Sequence, residues 1–241
     1  MNRYLSALAP VARITVWKAL AVAFGTAAIQ AVFFITTLTN RAAGDIYTLE
    51  TLIQKSNLSF TFTAGLLLLC GVLVLPALER GARTAYMIRR LPVEEGRLTR
   101  LWGLQNTLLL LLYWAVQLTA VLLLSQYALT TLDPATVSHQ SFLLACYRSP
   151  YLHGLLPLAD WLVLLRNLSG CLALGLAAAA FCHHRRHGRT SLGILPLAVM
   201  SAIGFPVYAG TFLPSLCAAA VFLLLCFYYW KNVMGVHRDE D

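Results

Sequence analysis

The densest run of side-chain chemistry in the sequence is Cys182-His183-His184-Arg185-Arg186-His187. His183 and His187 stand four apart, so on a helix both imidazoles share one face, a spacing at which two nitrogens can ligate one metal ion. Arg185, Arg186 and the nearby Arg189 oppose a cation there. The segment therefore reads as a basic cap facing lipid headgroups, and no metal site is expected.

Asp160 and Arg166 are the next candidates, because ionisable groups within an apolar stretch cost roughly 2.5 to 3.5 kcal/mol to insert and default to functional roles. Six residues of helix turn through about 240° net, so the two do not face each other. Two placements stay open: inside a span against different neighbours, or at the outer headgroups by snorkelling. Gln30, Gln105, Asn106, Gln117 and Gln126 are uncharged polar groups in or near apolar runs, suited first to helix-to-helix hydrogen bonds and second to substrate contact. With Asp160 and Arg166, Gln117 is a candidate for lining a translocation path. The sequence holds no GxxxxGK[ST], HExxH or GxSxG pattern, so no catalytic residue is assigned.

These residues sit in a chain of 241 residues that is 59% hydrophobic and only 12% charged, with a mean hydropathy of +0.70. A soluble domain carries about a quarter charged residues, so a bilayer is the expected solvent. Crossing it takes about 20 apolar residues in a helix, which satisfies its own backbone. Uncharged runs at Ala19–Asn40, Ser56–Leu78, Leu101–Leu132, Asn167–His184 and Thr190–Trp230 supply the material. The last is about 60 Å as one helix, too long for one crossing. It is expected to turn back at Gly210-Thr211-Phe212-Leu213-Pro214.

The predicted architecture is all-α: a single transmembrane domain over 1–241 with about six membrane-spanning helices at 16–39, 57–78, 101–129, 158–182, 191–210 and 213–230. The first span is expected to be retained rather than cleaved as a signal peptide. Residues 1–15 suggest a short amphipathic helix on the inner surface, with a frayed tail the alternative. The loop Thr130–Pro157 is apolar enough for a short interfacial helix with tyrosines at headgroup depth.

Arginine and lysine near span ends favour the cytoplasmic side. They cluster at Arg3, Arg13 and Lys18, at Arg80 to Arg100, at Arg185, Arg186 and Arg189, and at Lys231 and Arg238. Both termini are thus assigned to the cytoplasm of a multi-pass protein of the cell membrane. The net charge of +8 is mainly this orientation signal, and no nucleic-acid partner is expected. Of the six cysteines only Cys146 falls outside, so no extracytoplasmic disulfide pair is available.

Between spans two and three lies Arg89-Arg90-Leu91-Pro92-Val93-Glu94-Glu95-Gly96-Arg97-Leu98. Proline at a helix start, acids in the first turn and arginine later suit the helix dipole, so a short cytoplasmic helix is expected to begin near Pro92. This segment resembles the coupling helix in permease subunits of type-2 ABC exporters, and the six spans and cytoplasmic ends are similar too. The resemblance implies that Arg89, Arg90, Leu91, Pro92, Val93, Glu94, Glu95 and Arg97 dock on a separate ATPase subunit. ATP and magnesium would then sit on that partner, with no cofactor and no covalent chemistry on this chain. A second permease copy or a homologous permease would complete the path. Several family members carry a sizeable external element between spans five and six, whereas here only Gly210 to Pro214 is available.

Rivals from other classes are an ATP-independent six-span carrier, a vitamin-binding membrane component, and a membrane scaffold or regulatory subunit. The substrate and the direction of transport are not legible in the residues.

Overall fold

The computed structural model describes residues 2–40, 48–78, 94–132, 139–157, 160–188, 193–205 and 212–235. It is helical, with no strand among the described residues. In chain order the helices are α1 (Asn2–Thr39), α2 (Leu49–Lys55), α3 (Leu58–Leu78), α4 (Glu95–Thr131), α5 (His139–Arg148), α6 (Pro150–Leu155), α7 (Trp161–Arg186), α8 (Ile194–Gly204) and α9 (Phe212–Gly235). Five of them, α1, α3, α4, α7 and α9, are long and apolar enough to cross a membrane.

Four boundaries differ from expectation. The chain from Asn2 is continuous with the first span, so α1 runs 38 residues without the separate entry helix expected over 1–15. Likewise α4 begins at Glu95 and continues unbroken to Thr131. Glu95 and Arg97 therefore belong to the first turn of a long helix, not to a free-standing short one. The reason is that Leu98 and Thr99 extend the buried face of α4 beyond the uncharged run. The loop after α4 forms two short helices, α5 and α6, with Tyr151 buried within the fold and Tyr147 exposed. The predicted span 191–210 is described only as the 11 residues of α8, with 189–192 and 206–211 outside the described residues.

The axis of the bundle is α7. Its most apolar stretch is 78% buried, against 22% for those of α1 and α9, which present most of their surface outward. It packs against α4, α9, α3 and α8, while α1 packs against α3 and α4. Alanines 177 to 180 and Gly175 keep α7 slim. Lipid tails are as apolar as leucine, so close packing of small residues and hydrogen bonds between helices hold such a bundle together, not burial from water. Gly188, with φ of 71°, follows the end of α7 in the left-handed region that ends helices without steric cost to glycine. Asn57, with φ of 51°, makes the tight joint between α2 and α3.

Candidate functional site

Two polar clusters lie at opposite ends of the bundle. At the arginine-rich end, the first turn of α4 meets the last turn of α7. Glu95 is half-buried there, with its Oε1 3.5 Å from Arg186 Nη1 and 3.9 Å from His183 Nε2, and its Oε2 3.5 Å from His187 Nε2. Arg186 is oriented from its other side: its Nε–H donates to the Cys182 carbonyl at 3.2 Å, and its guanidinium lies 5.3 Å from the Trp102 ring centroid. The rings of His183 and His187 are 4.5 Å apart between centroids. His187 Nδ1–H donates to the His183 carbonyl at 3.0 Å, which turns its Nε2 toward Glu95. His183 is buried, and its Nδ1 has no hydrogen-bond partner among the described residues. The partners of Glu95 were not legible as a set; the available signal was that Glu95 and the histidines flank spans assigned to the same side.

The coupling-type residues Arg89, Arg90, Leu91, Pro92 and Val93 lie outside the described residues. Glu94 precedes α4 and pairs with the exposed Arg97 one turn on. Two more contacts tie this end together: Arg100 lies over the Trp230 ring of α9 at 5.3 Å, and Cys182 Sγ approaches the Leu73 carbonyl of α3 at 3.9 Å.

At the other end, α6 is docked onto three membrane helices by side-chain bonds. Gln30 of α1 donates to the Tyr151 hydroxyl at 3.3 Å, Trp114 of α4 donates to the Leu155 carbonyl at 3.0 Å, and Asn167 of α7 donates to the Gly154 carbonyl at 2.8 Å. Burial pushes the Tyr151 phenol well above its ordinary range, so it stays neutral. His153 Nε2 lies 2.8 Å from Asp160 Oδ2, joining α6 to the start of α7. Cys146 of α5 is buried beside this cap, and desolvation pushes its thiol up to about 11, so it stays protonated. All six cysteines are free.

The candidates for a translocation path fall in different surroundings. Arg166 is buried in the second turn of α7, and its Nε and Nη2 donate to Asn167 Oδ1 at 3.2 and 3.1 Å. Asp160 precedes α7 and faces α6 through His153. Gln117 is fully buried and faces α1, donating to the Ala23 carbonyl at 2.9 Å and to the Thr26 hydroxyl at 2.6 Å. The Oε1 atoms of Gln117 and Gln30 and the Oδ1 of Asn106 have no hydrogen-bond partner among the described residues. Each buried acceptor left so costs about 1 to 3 kcal/mol. Tyr151 and Asn167, which anchor this region, carried no distinguishing signal, because their partners are distant in sequence or a backbone carbonyl, whereas His153 stands seven residues before its partner Asp160.

Comparison with protein-family models, with curated proteins and with solved structures gives no match.

Proposed function

We propose that this chain is the membrane-spanning permease subunit of an ATP-driven transporter of the ABC-exporter type, forming half of a translocation path and coupled to a separate ATPase. The observation that supports this most is the junction of α4 and α7. Segment 89–98, which carries the resemblance, runs into the first turn of α4, which is held to the last turn of α7 through Glu95, Arg186 and His187. A push on that segment would be delivered to two helices that run the depth of the bundle, α7 being its axis. Such a linkage converts movement of a cytoplasmic partner into a change of helix packing, which is what alternating access requires.

The test is copurification. Replacing Leu91-Pro92-Val93 by Gly-Ser-Gly in the full chain is expected to abolish recovery of an ATPase subunit while the purified chain keeps its helical circular dichroism. Retention of the ATPase by that variant would overturn the docking role of this segment, and transport in liposomes driven by an ion gradient without ATP would overturn the reading in favour of a carrier. Loss of that gradient-driven transport in Arg166→Ala would then assign Arg166 to the carrier's path.

A further inference from the structure

We propose that Glu95, His183 and His187 form a binding site for one divalent transition ion of the zinc class, clipping the start of α4 to the end of α7. The donor set is two imidazole nitrogens and one carboxylate oxygen, whose ligand atoms all lie within 4.8 Å of one another. Zinc bonds of about 2.0 to 2.2 Å in a tetrahedron place ligand atoms about 3.3 to 3.6 Å apart. The His187 Nε2 to Glu95 Oε2 separation of 3.5 Å already matches, while His183 Nε2 stands 3.9 Å from the other carboxylate oxygen, so the donors must draw in from a spread of up to 4.8 Å. Three protein ligands leave one tetrahedral position to an outside oxygen.

Two features go beyond proximity. His187 donates from Nδ1 to the His183 carbonyl, which fixes the tautomer with the Nε2 lone pair toward Glu95, the arrangement that orients metal-binding histidines. His183 is buried, its Nδ1 has no partner among the described residues and its Nε2 lies 3.9 Å from Glu95, so a neutral imidazole protonated on Nδ1 keeps the Nε2 lone pair available for coordination.

The positive neighbour is Arg186, and its position is compatible with an ion. It approaches Glu95 on the Oε1 side and is tethered to the Cys182 carbonyl and the Trp102 face, while Oε2 points to His187. One carboxylate can thus hold the guanidinium with one oxygen and the ion with the other. The charge of Arg186 selects against ions that bind only through electrostatics. Calcium and magnesium need six or more oxygens, whereas zinc, cobalt and nickel gain from imidazole nitrogen. An ion here would stiffen the α4–α7 junction whichever partner meets segment 89–98.

Cobalt(II) provides the probe. The full chain, carrying an affinity tag without histidine and stripped with a chelator, is titrated in detergent with Co2+. The expected result is the strong visible absorption of four-coordinate cobalt, saturating at one ion per chain and bleached by Zn2+. Glu95→Gln and His187→Ala should each lose it, with zinc affinity lower by at least about a hundredfold, the most that loss of a mere outer-shell partner costs. His184→Ala, on the same turn but outside the donor set, should retain it. The His187 side chain is 38% exposed, so its removal leaves packing intact even if Glu95→Gln does not fold. Absence of the absorption in the unaltered chain, a weak six-coordinate spectrum, or undiminished binding in His187→Ala would each overturn the assignment.

Discussion

Gly175 sits where the backbones of α4 and α7 come closest. A methyl group there would meet the Thr107 hydroxyl, and would lie 2.7 Å from the Thr107 nitrogen and 2.8 Å from the Gly103 carbonyl oxygen. Two of these are backbone atoms, which cannot swing aside. At Gly103 the nearest atom is the end of the Leu176 side chain at 2.7 Å, which can. Gly175→Ala should therefore destabilise the chain by about 1 to 3 kcal/mol, as overpacking does in a close-packed interior. Gly103→Ala should cost less, and thermal melting of the two variants in detergent would rank them. Equal melting of Gly175→Ala and the unaltered chain would mean that the helices are not this close. Neither glycine stood out in the sequence, because a close approach depends on which two helices cross. The histidines were legible as a pair at ligand spacing, yet without Glu95 the flanking arginines decided their reading, and the third donor came from a turn 88 residues earlier.

Helices were legible wherever an uncharged run was long, and their ends were not. Charged residues mark where water begins, but α4 carries Glu95, Arg97 and Arg100 in its first turns because an α-helix continues through headgroups while one face stays packed. At about 55 Å it outlasts the hydrocarbon layer of about 30 Å. The cap of α5 and α6 was foreseen as one interfacial element, and what sets it apart is the bonds into the bundle. Asn167 is central among these, since it donates to the Gly154 carbonyl and accepts from the buried Arg166 guanidinium. Asn167→Leu should leave Arg166 without that acceptor and free α6 on the same face. Amide hydrogen exchange over 150–155 should then quicken about tenfold or more, the equivalent of about 1.4 kcal/mol, with α3 and α4 unaffected. Exchange that quickens equally along α3 would instead make Asn167 a support of the whole bundle.

The number of crossings decides where the two chain ends stand, and five helices qualify by length and composition. An odd number would put the ends on opposite sides; the arginine pattern asks for the same side. Although α8 is only 11 residues long, its contacts show the direction it takes. At its start Gly193 lies against the Tyr229 hydroxyl, near the end of α9 where Arg100 stacks on Trp230. At its far end the Ala202 carbonyl accepts from Thr63, and Phe205 packs on Phe62 and Trp114, near the beginning of α3. The chain thus travels from the arginine-rich end toward the opposite one along α8 and returns along α9. If α8 and the residues beside it make a crossing, as the proposed reading requires, the count becomes even and the two ends share a side. Reporter domains fused in turn to each end, one active only in the cytoplasm and the other only outside, should both score as cytoplasmic. Opposite scores would leave five crossings, would place the end of α9 outside, and would remove the arrangement on which a cytoplasmic docking segment between α3 and α4 depends.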